Sequence, residues 1–222
     1  MSTELVPQDI TGGPLAKEGE FDNIVTGGDY LPRLSLCSAK SDACAEGKIA
    51  INHYGLMKDD AIVDLGLEVD LVFISWRSKA VQSGDDFIIC YTPDFDAGGV
   101  VTNPLFKKIM AQAGVRDSGA MYGPEFLVYV PAANTFATLH MNSKTSRREA
   151  KNIKPLLGKA ATLKSKLIDP PNSKFKWQGI VTIPCSSPLE VPDEAVIRDE
   201  WTKFQNPPEN EVEVATDDDR AR

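Results

Sequence analysis

The most regular hydrophobic pattern in the chain is an alternation of apolar and polar residues with a period of two, which is typical of a β-strand that buries one face. It is longest at residues 65–76, where Leu65, Leu67, Val69, Leu71 and Phe73 fall on one side. Shorter segments of the same kind predict strands at residues 30–37, 86–91, 125–130 and 135–141. The pattern between the two ends of the chain is therefore mostly β.

Helical patterns occur at three places. Residues 103–113 predict a helix because Asn103 can cap its first turn, Pro104 suits the first helical position and Gly114 ends it. Residues 143–167 have apolar positions at steps of three and four, but Pro155 and Gly158 interrupt them. This segment is either one long helix or two short ones. A further short helix is predicted at residues 194–204.

The predicted elements follow one another as strand, strand, strand, helix, strand, strand, which is the order of an OB-fold. We therefore expect a mostly β protein that also contains α-helices, built on an OB-fold-like Greek-key barrel with appended helices and flexible acidic termini. The expected divisions are a flexible segment at 1–29, the barrel domain at 30–189, and a short helix with an acidic tail at 190–222. Residues 38–64 would form a long loop or additional strands.

Charge is distributed unevenly along the chain. The formal net charge is −8, yet residues 143–166 contain eight bases and one acid, Glu149, a local net charge of +7. A solvated helix normally mixes both signs and gains from Glu–Lys pairs four residues apart. A solvated face remains one interpretation. The other is a surface for a polyanion, whose phosphates would relieve the repulsion between the bases and release condensed counterions.

Binding of single strands also requires aromatic side chains on which bases can stack. Trp76, Tyr129 and Phe136 are candidates, although aromatic residues are more often part of a core. Tyr129 lies opposite Phe126 in the alternation, and we expect Tyr129 to face outward. The candidate nucleic-acid-binding residues are Trp76, Arg77, Lys79, Tyr129, Phe136, Lys144, Arg147, Arg148, Lys151 and Lys154. Charge reversal at Arg147, Arg148 and Lys151 should flatten the salt dependence of binding.

This organisation resembles the single-stranded DNA-binding proteins of tailed bacteriophages, which place an OB-fold core before an acidic C-terminal tail. The stretches YLPRLSL, MYGPEFLVY and SKTSRREAK are also similar to a group of phage proteins of this size. The resemblance implies non-catalytic, largely sequence-independent binding of single-stranded DNA in phage replication or recombination. Such tails commonly end in acids and a terminal aromatic residue, whereas this chain ends DDDRAR.

The acidic tail suggests two roles. It can compete for the basic surface within the chain, and it is a candidate docking site for replication or recombination proteins. No apolar run is long enough for a membrane-spanning helix and no export signal is visible, so we expect a cytoplasmic protein without a membrane partner.

Other chemistries have weaker support. The chain lacks the common catalytic motifs, and we expect neither an enzyme nor a cofactor. Cys37, Cys44 and His53 could be imagined as zinc ligands, but their spacing is unusual and a fourth ligand is missing. Glu149 and Lys151 match the E-x-K spacing of one nuclease class, on a segment that reads as helix rather than strand. The alternative function is a phage structural or assembly protein without nucleic-acid binding.

Overall fold

A computed structural model describes residues 31–39, 41–58, 61–83, 88–92, 103–115, 117–169 and 176–206. Of these residues, 44% lie in strands and 27% in helices, which confirms the prediction of a mostly β protein. The N-terminal segment predicted at 1–29 and the end of the predicted tail lie outside the described residues. The elements are β1 Arg33–Leu36, α1 Asp42–Ala45, β2 Tyr54–Lys58, β3 Ala61–Asp64, β4 Glu68–Gln82, β5 Ile88–Thr92, α2 Pro104–Gln112, β6 Ala120–Val130, β7 Thr135–His140, α3 Lys144–Ile153, β8 Ala160–Ile168, β9 Trp177–Pro184 and α4 Glu194–Gln205.

The described strands form one sheet in the order β3-β2-β1-β7-β6-β4-β8-β9, with β5 paired to β4 as a branch. Neighbouring strands are antiparallel except β1 and β7, which are parallel. Within this order, β8 returns after α3 to lie beside β4, so that β8-β4-β6-β7 has the arrangement of a Greek key. The path through the described strands is open, and closure into an OB-fold barrel stays a prediction.

A bulge in β4 decides which of its side chains reach the main core. The register between β4 and β6 shifts between Phe73 and Ser75, and such an extra residue moves the alternation to the other face. Val69, Leu71 and Phe73 therefore share a face with Trp76, which lies opposite Phe126 on β6. Without the bulge, Trp76 would lie on the opposite face from Phe73.

The two faces of the sheet carry separate cores. We call the face that includes Phe73, Phe126 and Val128 the inner face; Ala150 and Ile153 of α3 pack against it. The outer face includes Ile74, Leu127, Tyr129 and Phe136, and α4 covers it with Ile197 and Phe204. A third cluster forms where Phe106 and Ile109 of α2 pack on Ala80 and Cys90. Burial of both faces explains why β6 is apolar at nearly every position.

The local predictions for α2 are confirmed, because the Asn103 side chain accepts hydrogen bonds from the Leu105 and Phe106 amides. The predicted loop or extra strands at 38–64 prove to be α1, β2 and β3.

The prediction of helix throughout 143–167 is wrong in its second half, where α3 gives way to a 3-10 turn at Lys154–Leu156 and then to β8. Pro155 lacks an amide hydrogen and Gly158 adopts a positive φ of 74°, which together end the helix.

Candidate nucleic-acid interface

Helix α3 presents one buried and one basic side. Ser143 caps its N-terminus, with the side-chain oxygen accepting a hydrogen bond from the Ser146 amide at 3.0 Å. Ser146, Ala150 and Ile153 are buried at the three- and four-residue spacing of a helix. The opposite arc carries the side chains that we call the α3 cations, namely Lys144, Arg147, Arg148, Lys151 and Lys154. Local periodicity therefore gathers four bases on one side of α3, and Lys154 follows them at its C-cap.

The α3 cations are not neutralised by the described part of the protein. None of the five forms an ion pair with another described residue. Lys144, Arg148, Lys151 and Lys154 are exposed. The described residues thus leave these charges without an acidic partner, which is the condition for attraction of a polyanion.

Glu149, the single acid of the segment, has a structural role on the other flank of α3. Its Oε1 accepts a hydrogen bond from the Thr182 amide of β9 at 2.7 Å, and its Oε2 accepts one from Asn152 Nδ2 at 2.9 Å. Because Thr182 belongs to a strand at the edge of the described sheet, this bond satisfies an amide that the ladder leaves open. Glu149 therefore anchors α3 to β9 rather than neutralising its bases.

Arg147 is held more tightly than the other α3 cations. Its Nη1 donates to the Tyr122 carbonyl oxygen at 3.1 Å and also to the Asn142 carbonyl oxygen. The guanidinium carbon lies 4.3 Å from the centre of the Tyr122 ring, which is a cation–π contact. These contacts fasten the start of α3 to β6.

An open pocket lies between α3 and the sheet. It is lined by Trp76, Pro124, Phe126, Arg147, Ala150, Lys151 and Lys154. Its empty volume, including the solvent at its mouth, is about 450 Å³. Four of the ten residues predicted from the sequence, Trp76, Arg147, Lys151 and Lys154, thus meet at one place. Its apolar walls Pro124, Phe126 and Ala150 were not predicted, because their contact with Trp76 depends on the bulge in β4.

Arg77 and Lys79 lie on the outer face, away from this pocket. Arg77 Nη2 and Lys79 Nζ lie 2.7 and 2.6 Å from the two carboxylate oxygens of Glu125, which is 1% exposed. The Arg77 guanidinium is also sandwiched between the rings of Tyr91 and Phe204, at 3.8 and 4.1 Å. A buried carboxylate therefore already pairs with both bases that the sequence analysis assigned to phosphate, and their part in nucleic-acid binding stays a prediction.

Glu125 stays ionised despite its burial. Burial alone would raise the pKa of this carboxyl, but the charges of Arg77 and Lys79 outweigh it and hold the pKa below its ordinary value. The three side chains form an internal ion-pair cluster between β4 and β6.

Tyr129 and Phe136 are covered by α4. They are 6% and 8% exposed, and their ring centroids lie 5.2 Å apart. The Tyr129 hydroxyl donates to Asn134 Oδ1 at 2.7 Å. The prediction that Tyr129 faces outward is wrong, because Ile197 and Phe204 of α4 pack over this face.

The second half of the basic segment is separated from the first. Lys159, Lys164 and Lys166 lie at or on β8, and Lys164 Nζ is 2.8 Å from Glu68 Oε2. The basic segment therefore contributes α3 and its 3-10 turn, rather than its whole length, to the candidate interface.

Two other sites were considered from the sequence, a zinc site and a nuclease-like Glu–Lys pair. His53 Nδ1 lies 2.8 Å from Asp64 Oδ1, while Cys37 is buried. Within the described ranges, no group of three or more His, Cys, Asp and Glu side chains is placed to hold a metal ion. Glu149 faces β9, whereas Lys151 lines the pocket, so the E-x-K pair points to different flanks of α3.

Comparison of the chain with protein-family models, with curated protein sequences and with solved structures gives no match. None of the described helices combines the length and apolar character needed to cross a membrane.

Proposed function

We propose that this protein is a non-catalytic, largely sequence-independent single-stranded DNA-binding protein. The observation that carries the proposal is the pocket in which the indole of Trp76 lies beside three α3 cations, Arg147, Lys151 and Lys154. Binding of a single strand requires both an aromatic surface on which bases stack and cations that contact the phosphates. The resemblance to phage proteins supports a role in DNA replication or recombination.

The electrostatic part of the proposal follows from the α3 cations, which form no ion pair with the described residues. Each phosphate that a lysine or arginine neutralises releases condensed counterions into solution, and this release is entropically favourable at low salt. Contacts of this kind position a strand without reading its bases. Binding should therefore be steeply salt-dependent and nearly indifferent to sequence.

The OB-fold barrel remains part of the proposal. Its support is the Greek-key order β8-β4-β6-β7 and the position of α3 between the third and fourth strands of that unit. OB-folds are partly open Greek-key barrels that commonly bind oligonucleotides.

The test is fluorescence anisotropy with a labelled oligo-dT across a salt series. Wild-type protein should bind at micromolar concentration in low salt, with log K falling linearly against log salt concentration. The double variant Arg148→Glu/Lys151→Glu should lose two phosphate contacts. The salt dependence should then become flatter, with the magnitude of the slope smaller by roughly 1.4. The matched control is Lys107→Glu/Lys108→Glu, an equal charge change on the exposed side of α2, which should keep the wild-type slope.

Two outcomes would contradict the proposal. If wild-type protein leaves oligo-dT unbound in low salt, the protein does not bind single strands, as expected for a structural or assembly protein. If the α2 control lowers the slope as much as the α3 variant, overall charge rather than the α3 surface is responsible.

A further inference from the structure

We propose that the pocket takes one unpaired nucleobase of the strand, with Trp76 as the stacking surface, Lys151 and Lys154 as phosphate contacts and Arg147 as a positioning residue. This inference rests on the proposed function and assigns roles within its site. It also explains how the protein would distinguish a single strand from a duplex.

The pocket matches the chemistry of a nucleotide unit. Trp76, Pro124, Phe126 and Ala150 supply apolar surface, which suits the flat, weakly polar faces of a base. Lys151 and Lys154 also line the pocket and are exposed to solvent, where they can meet the phosphates on either side of the base. No carboxylate is found among the described lining residues, so nothing there repels the backbone.

Arg147 differs from the two lysines because its Nη1 already donates two hydrogen bonds within the protein. Its guanidinium holds the carbonyl oxygens of Tyr122 and Asn142 and stacks on the Tyr122 ring. A phosphate contact at Nη1 would compete with these bonds. The geometry therefore makes Arg147 part of the wall that fixes α3 against β6 and keeps the pocket open.

A paired base cannot use this pocket. In a duplex both faces of each base are covered by its neighbours, and extrusion requires unstacking and unpairing. Among the described lining residues the polar side chains are donors only, and these can pair with the acceptor atoms that all four bases carry. The pocket should thus select single strands while tolerating any base.

The experiment compares three probes of equal length and label: oligo-dT, an oligonucleotide of abasic deoxyribose phosphates, and duplex DNA. Abasic and dT strands carry the same charge, so a difference between them reports base contacts alone. Wild-type protein should bind dT more tightly than the abasic strand by about tenfold, the scale of one stacked base. The duplex has a higher charge density and no free base, so its binding should depend on salt but stay unchanged in Trp76→Leu.

Four variants assign the residues. Trp76→Leu should lower the dT affinity to the abasic level and leave abasic binding unchanged, whereas Trp76→Phe should retain part of the dT preference. Trp177→Leu, at an exposed tryptophan on β9, is the matched control and should behave as wild type. Arg147→Lys should reduce the dT preference at an unchanged salt slope, because charge is kept and the fixed wall is lost.

Equal binding of dT and abasic strands by wild-type protein would overturn the base-pocket inference while leaving strand binding intact. Absence of binding to both would overturn the proposed function itself. If Arg147→Lys weakened binding to both strands alike, Arg147 would be a phosphate contact and its positioning role would be wrong.

Discussion

At the scale of single residues, His140 shows how burial changes protonation. It lies opposite Glu125 in the pairing of β6 and β7. Burial lowers the pKa of His140 to about 4, an effect larger than the opposite one of the Glu125 carboxylate. Lys79 and Arg33 lower the pKa further. His140 is therefore neutral in the folded protein at neutral pH.

This burial predicts a pH-dependent stability. Unfolded histidine takes up a proton near pH ~6.5, whereas folded His140 does so only near pH 4. As the pH falls through this window, the free energy of unfolding should therefore decrease by at most about 3 kcal/mol. His140→Gln should remove this part of the decline. Urea unfolding at about pH 7, pH 5.5 and pH 4.5 measures it. The Glu125 pKa is lowered, so its contribution is present above the ordinary carboxyl pKa and is lost only at lower pH.

The control is His53→Gln, which changes the other histidine of the chain, beside Asp64. This variant should keep the part of the decline that His140 causes. A full decline in His140→Gln would mean that other groups cause the pH dependence.

At the scale of elements, α4 decides which face of the sheet can serve as an interface. Ile197 and Phe204 are each 2% exposed, and Gln205 Nε2 donates to Ser75 Oγ at 2.9 Å. Arg77 donates to the Phe204 carbonyl oxygen near the end of the helix, where a cation is favourable. These contacts cover Tyr129 and Phe136, so the pocket on the inner face becomes the candidate interface.

Because Phe204 is buried in the outer core, Phe204→Ala should destabilise the protein by about 3–5 kcal/mol, the usual range for a buried phenylalanine. Val196→Ala is the matched control, since Val196 is on the same helix and 47% exposed, and should change stability by about 0.5 kcal/mol or less. Urea unfolding monitored by circular dichroism compares the two. Equal effects would show that α4 adds little to the outer core.

At the scale of the whole molecule, opposite charges are segregated along the chain. Sixteen residues follow Asn206, and six of them are acids: Glu209, Glu211, Glu213, Asp217, Asp218 and Asp219. The described chain ends on the outer face beside β4, where Gln205 Nε2 donates to the Trp76 carbonyl oxygen at 3.5 Å, and α3 lies on the other side of the sheet. Sixteen residues can extend about 50 Å, which is enough to reach α3 from there.

We therefore expect the tail to compete with nucleic acid for the α3 cations. Deletion after Pro208 should tighten binding to oligo-dT, most at low salt, because a tethered polyanion acts at high effective concentration. Replacing the six acids by their amides keeps the length and should have the same effect. Binding is measured by anisotropy, and unchanged or weaker binding in either variant would show that the tail does not compete with nucleic acid.

The sequence alone was sufficient where the signal is local. The Asn103 cap and Pro104 predicted α2, and alternation predicted β6 and β7. The α3 cations could also be recognised in advance, because their spacing places them on one side of a helix whatever it packs against. Hydrogen bonds and periodicity of this kind act within a few residues.

Tertiary structure decided the features that depend on contacts between residues distant in the sequence. The apolar residues of β8 suit a helix or a strand equally, and pairing with β4 and β9 selects the strand. Glu125 forms ion pairs with Arg77 and Lys79, which are more than forty residues away in the sequence. Helix α4, which covers Tyr129, is still further along the chain. The bulge in β4 turns Trp76 toward the pocket. The sequence by itself thus determined which charges gather on α3, whereas long-range pairing determined which aromatic residue meets them, because burial and register are set by contacts that no local pattern contains.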